Sequence, residues 1–373
     1  MPVEIELNEL PAGYSESSLH GGGMIKVSQK GFYSSEDGEE LIKRLEGWPD
    51  YFLKLIPSKT PLKPSYIHTL LVVISKDKKA TIYFNDAQVI GEMRVKGACE
   101  KGEAITANRI LDIGKMKFNN AIIPEDAGFI YVFSIGWRQG YIYDLEPLHQ
   151  EKKRDFDIEE TLGNCFTYLL FQERFKIDGQ TWDTILLQKW FPFSYLDNKL
   201  IKKIVSHARE GWEIDELLPE IHKDVISLLK KSPFAGKSSL YFEDHKEIID
   251  KAIERYLEAD YISCTSILYP RIEGLMRSFY KTEGYNSKPS SKNLTKTIIS
   301  HHQKRRIYQS LLLPDKFQDY LENIYFANFS PGTTPDVGRH SVAHGEARKE
   351  DFDLKSSTIA ILVLYQLSLF MTV

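Results

Sequence analysis

Cysteine is scarce: Cys99, Cys165 and Cys264 are the only three among 373 residues. An odd, widely spaced set excludes a disulfide framework and a zinc ribbon, and predicts reduced, buried thiols. Charge of one sign is also lacking. Lys and Arg number 48 against 52 Asp and Glu, a formal net charge of -4. With an isoelectric point near 6.2, bulk electrostatic attraction to nucleic acid is excluded, so any RNA contact must come from local patches. No glycine-rich phosphate loop is present. Gly21-Gly22-Gly23 lacks a following Lys-Ser/Thr, and Gly136 to Gly140 lacks the rest of a dinucleotide fingerprint. ATP-driven chemistry is therefore disfavoured and no cofactor is expected. Met1 to Glu6 shows no basic region leading into an apolar core, which argues against a secretory leader. The longest apolar stretch, Ser356 to Val373, carries Ser, Thr and Gln and reads as a buried helix rather than a membrane span. The expected setting is a reducing cytoplasm, with no membrane partner.

What is present changes character along the chain. Residues 1 to about 65, with Gly21-Gly22-Gly23, Pro49, Pro57, Pro61 and Pro64, read as irregular apart from a helix at Glu39 to Leu45. From Ile67 to Leu148 the pattern is that of strands. His68 to Ser75, Lys79 to Phe84, Gly128 to Ser134 and Gly140 to Asp144 are rich in β-branched and aromatic residues, and Trp137-Arg138-Gln139 reads as a hairpin loop. A mixed or antiparallel sheet of five or more strands is predicted. Its aromatic residues could stack bases, with Arg138 adding a phosphate contact, but the alternation of Phe129, Tyr131, Phe133, Tyr141 and Tyr143 favours sheet-face packing. After the charged connector Glu151 to Asp155, helical periodicity takes over at Ile158 to Lys176, Tyr195 to Glu210 and Glu216 to Lys230. Ser232 to Ser239 reads as a linker. The fold class is α+β: a β-rich region over 1–150, a helical middle over 151–236 and an all-α bundle over 237–373.

The sharpest chemical pattern is Arg339-His340-Ser341-Val342-Ala343-His344-Gly345. It places a permanent cation near a group that titrates around neutral pH, the minimum equipment for cleaving a phosphodiester without a metal. Thr333, Pro335 and Gly338 precede it and Gly345 follows, which sets the pair at a loop-to-helix junction. On one regular helix, five residues advance about 500°, leaving Arg339 and His344 roughly 140° apart. A shared site then needs irregular backbone, or two copies meeting across a two-fold axis. His340 and His344 would align on one face and could begin a zinc site with Glu346 or Glu350, but no Cys or third His lies nearby. No metal is therefore expected.

At these residues the chain resembles the HEPN family, more closely its branch of C-terminal domains in bacterial proteins of unknown or defence-related role. Arg339, polar His340 and His344 fit the family's motif with four residues between Arg and His, and a trailing glycine is usual in that branch. Ala252 to Ile262 followed by Leu268 to Arg277 is similar to the first helical hairpin of such domains. The resemblance covers about residues 243 to 373. It implies four or five helices that dimerise, bringing two motifs into one cleft. It also implies a metal-independent endoribonuclease, although many relatives are non-catalytic dimerisation, ligand-binding or scaffolding modules, and that is the rival reading here.

RNA carries its own nucleophile, so the protein need only take the 2′-OH proton, steady the phosphorane and protonate the leaving oxygen. His344 suits the proton transfers and Arg339 the grip on phosphate. His340 is expected to orient the cleft, and Glu273 to fix Arg339 from a neighbouring helix. Lys304, Arg305 and Arg306, within the run His301 to Arg306, are the candidate RNA-binding patch, against the commoner fate of a solvated face. RNA and a second copy of the chain are the expected partners. An inhibitor protein is left open and the target RNA unnamed.

Overall fold

The computed structural model describes residues 2–8, 33–34, 39–75, 77–125, 127–134, 139–144, 157–231, 242–303, 310–327, 341–342 and 345–371. They form two compact units, one from residues up to Glu92 together with Lys115–Leu169, the other from Met93–Gly114 together with Leu170 onward. The class is α+β, with the strands in the first half and the helices dominating the second. Residues 170–231, most of the predicted helical middle, belong to the same compact unit as the C-terminal helices.

The first unit contains β1 (Val3–Glu6), β2 (Tyr33–Ser34), α1 (Glu39–Leu55), β3 (Leu70–Ser75) and β4 (Lys79–Phe84). Beyond the paired strands β5 (Gln88–Val95) and β6 (Ile110–Asn119) come β7 (Ala127–Ser134), β8 (Gln139–Asp144) and α2 (Ile158–Leu170). Six strands pair antiparallel in the order β1-β4-β3-β7-β8-β2. Central β3 is held on both sides, with Val72 opposite Ile82 and Tyr131. Its run of buried apolar residues, rather than an alternation, is what a strand covered on both faces requires. The register Ser134 opposite Gln139 closes β7 and β8 into the predicted hairpin. The loop residues Trp137 and Arg138 lie outside the described residues.

The expectation that residues 1 to 65 are irregular is corrected here. The alternating Val-Glu-Ile-Glu of β1 pairs at the sheet edge, and α1 runs through Pro49 to Leu55 instead of stopping near Leu45. Tertiary packing overrides the proline: Trp48 and Phe52 lie 5.3 and 5.5 Å from the ring of Tyr131, and Phe52 and Leu53 are buried against β3 and β4. An interior proline costs roughly 3 kcal/mol, about what full burial of one or two large apolar side chains offsets.

The second unit is helical. It comprises α3 (Gln172–Phe175), α4 (Gly179–Leu187), α5 (Asn198–Glu210), α6 (Leu218–Lys231), α7 (Lys246–Leu257), α8 (Tyr261–Thr282), α9 (Ser291–Gln303), α10 (Pro314–Tyr320) and α11 (Leu354–Met371). Side-chain caps set several starts: Asp178 accepts from the Thr181 amide, Asp197 from Lys199 and Asp260 from Ser263. Gly211, at φ +72°, ends α5. The α7–α8 hairpin predicted from sequence is present, and α8 also packs against α9 and α11. Almost every residue of α11 is buried, so the apolar C-terminal run is the central core helix of this unit.

Residues 93–114 dock into this unit through a buried polar network. Asp112 accepts from the Ser310 hydroxyl at 2.9 Å and the Leu311 amide at 3.1 Å. Lys96 donates to the Leu196 carbonyl, and burial pushes its ammonium down to about 8. Arg174 donates to Asn198 Oδ1 at 2.7 Å, and burial lowers its guanidinium to about 10. Cys99, expected to be buried, is instead exposed on this segment, whereas Cys264 is buried in α8 and its thiol is pushed up to about 12.

Candidate functional site

Arg339, His340 and His344 lie outside the described residues, as do Lys304, Arg305 and Arg306. The residues set among and after the motif are described. Ser341 and Val342 are helical; Ser341 is buried, and Val342 packs against the main helical core. Gly345 sits at φ +73°, where its amide donates to the Val342 carbonyl and that of Glu346 donates to the Ser341 carbonyl. This paired closure around a left-handed residue is a Schellman turn, and glycine is favoured there because it carries no Cβ. The middle of the motif is thus fixed to the core, and its C-terminal edge by a tight turn.

Glu273 is buried in α8. Its Oε1 accepts from Nε and Nη2 of Arg277, one turn on, at 2.9 and 2.6 Å, and Arg277 Nη1 reaches the Pro289 carbonyl at 3.3 Å. Glu273 therefore anchors Arg277, which holds the end of the segment before α9. The expected pairing of Glu273 with Arg339 falls outside the described residues.

The run His301 to Arg306 begins at the end of α9, where both histidines are engaged inside the unit. His301 Nδ1 lies 3.0 Å from a Glu283 carboxylate oxygen, and His302 is buried with its ring 4.9 Å from that of Phe370. These two side chains serve packing and pairing, not an open face.

A histidine outside the motif makes a close polar pair that no residue pattern announces. His245 Nε2 lies 2.8 Å from Ser278 Oγ, while Arg271 Nη1 approaches Nδ1 at 3.4 Å. Arginine can only donate, so Nδ1 accepts and the proton sits on Nε2, donating to the serine. That tautomer cannot remove the serine proton, so the pair is not an activated nucleophile. Burial first, and Arg271 second, lower the histidine's proton affinity.

Close to the motif in sequence, a cavity of about 190 Å³ opens in the helical unit. Tyr269 of α8, Tyr320 of α10 and Tyr325 form aromatic walls, with Tyr269 and Tyr325 stacked at 4.8 Å. Glu350, Asp351 and Asp353 also line it, and Asp353 caps α11 by accepting from the Ser356 amide. Two irregular stretches of backbone shape it: a π-helical turn over Leu321–Tyr325, and Lys189 held at φ +63°. Both kinds of irregularity recur at functional sites. Sequence reasoning missed this cavity because its walls come from positions scattered between Leu187 and Ile359. Among the described residues, no three His, Cys, Asp or Glu side chains gather as a metal-ligand set.

Comparison of the chain with protein-family models, with curated protein sequences and with solved structures finds no match.

Proposed function

We propose that the chain is a metal-independent endoribonuclease of HEPN type, working in the cytoplasm as a homodimer, in a stress or defence role. The observation that carries this reading is the segment Arg339 to Gly345, an Arg and a His spaced as in that family, closed by a glycine that takes the left-handed turn. The helical hairpin α7–α8, the buried Ser341 and the partly buried Val342, which packs against the main helical core, support it.

In this reading His344 takes the proton of the substrate 2′-OH as its oxygen attacks phosphorus. Arg339 steadies the charge on the phosphorane oxygens, and His340 orients the phosphate. The bond from phosphorus to the 5′-oxygen breaks, and His344 of the partner subunit supplies the proton that the leaving oxygen takes up. The products are a 2′,3′-cyclic phosphate and a 5′-hydroxyl.

The test is cleavage of structured and unstructured RNA by the purified chain in EDTA. Cleavage that survives chelation and falls roughly 100- to 10,000-fold in His344→Ala is expected. Absence of cleavage, or equal cleavage by the variant, rejects the nuclease and leaves the dimeric scaffold.

A further inference from the structure

We infer that His222, Tyr256 and Thr358 form a proton-operated latch in the helical unit: with His222 neutral they tie α6 and α7 to α11, and a proton on the imidazole weakens that tie. The latch stands independently of the nuclease reading. Its three side chains come from three helices. Nδ1 of His222, on α6, lies 2.7 Å from the Tyr256 hydroxyl of α7, and that hydroxyl lies 2.9 Å from Oγ1 of Thr358 in α11. Tyr256 and Thr358 are buried, whereas His222 is half-buried. Protons from solvent therefore meet the chain at its histidine end.

The direction of both hydrogen bonds follows from the buried end. The hydroxyl of neighbouring Ser357 reaches the Asp353 carbonyl one turn back. That of Thr358 has only the Tyr256 oxygen as a partner among the described residues. A buried hydroxyl left without an acceptor is costly, so Thr358 donates to Tyr256. Burial pushes the proton affinity of the phenol up, which keeps Tyr256 protonated. Its own hydrogen then goes to Nδ1 of His222, which must accept, and the imidazole proton sits on Nε2.

Protonation conflicts with that order. An imidazolium carries hydrogen on both ring nitrogens, so Nδ1 can no longer accept. Either two donors face each other, or both bonds reverse and the threonine hydrogen is stranded in the core. No arrangement of these three groups satisfies every donor.

Burial, not charge, sets the titration of His222 and lowers its proton affinity in the folded chain. The turn at Ile214–Leu217 and α11 pack on α6, bringing Asp215, Glu216 and Lys355. From α7 come the half-buried Asp250 and Arg255, its other charged side chains being exposed. Asp215 and Lys355 hold each other at 2.7 Å, as do Arg255 and Glu258. The unfolded chain binds the extra proton more readily, so the latch is closed above the ordinary histidine value of about 6.5 and loosens as pH falls below it.

The experiment uses the full-length chain carrying isotope-labelled histidine. Nitrogen NMR at pH 7.5 should show the His222 proton on Nε2 with Nδ1 bare; a proton on Nδ1 overturns the inference. Hydrogen exchange at pH 7.5 and 5.0, corrected for intrinsic rates, then compares the native chain with two variants. In His222→Asn the carboxamide oxygen accepts from Tyr256 without titrating, and Tyr256→Phe removes the central hydroxyl. Expected in the native chain at the lower pH is a loss of protection on the order of tenfold in α6, α7 and the first turns of α11. Neither variant should show that pH-dependent loss. An equal loss in all three proteins, or none in the native chain, overturns the inference. If one variant fails to fold, the native tautomer and the other variant still decide.

Discussion

Asp112 and Ser310 are joined by a 2.9 Å hydrogen bond across 198 positions of chain. The same carboxylate accepts from the Leu311 and Ile113 amides, and its charge favours the buried guanidinium of Arg174. Asp112→Ala leaves these buried donors without their acceptor. We expect a loss of about 3 kcal/mol in urea unfolding at pH 7, and a smaller loss for Asp112→Asn. A change under about 1 kcal/mol would show that the network does not hold residues 93–114 in place.

His245 should make the helical unit sensitive to mild acid. Its proton affinity is lowered in the folded chain, so the unfolded chain binds more protons and stability rises with pH across its titration. The contribution is fully present above the ordinary histidine value of about 6.5 and fades as pH falls below it. His222, lowered by burial, acts with the same sign. Urea midpoints measured at pH 7.5 and 5.5 should fall further for the native chain than for His245→Gln. Parallel falls would assign the acid sensitivity to other groups.

Gly345→Ala separates the turn from the chemistry beside it. Among the described residues nothing lies within 4 Å of where the new Cβ would stand, so the strain there comes from the left-handed backbone, at φ +73°. The expected cost is about 1 kcal/mol of stability. Under the nuclease reading the rate of RNA cleavage should drop well beyond the small fraction unfolded, because Gly345 directly follows His344 in the chain. An unchanged rate with the expected loss of stability would make the turn purely structural.

Several elements were legible from residue pattern. β3, β4, β7 and β8 follow runs of β-branched and aromatic residues, α2, α5 and α6 follow apolar periodicity, and α7 and α8 lie where the family resemblance put a helical hairpin. β5 escaped because Gln-Val-Ile-Gly-Glu-Met-Arg-Val leaves most of its residues exposed and so has neither a buried run nor a clean alternation. The extension of α1 past Pro49 escaped because the ring that Trp48 and Phe52 pack on, Tyr131, lies on β7, some eighty residues away. Of the predicted site, Glu273 was found in α8 as expected, but with Arg277 as its described partner.

Sequence alone determined the α+β order, the buried C-terminal helix and the pairing of Arg339 with His344 as the candidate chemistry, since local propensity, apolar period and residue type are all read along the chain. Only the tertiary structure decided that residues 93–114 lock into the helical unit through Asp112, that His301 and His302 turn inward, and that Tyr269, Tyr325 and Glu350 share one cavity. These are contacts between residues far apart in the chain, formed by burial and hydrogen bonding that no neighbouring residues announce.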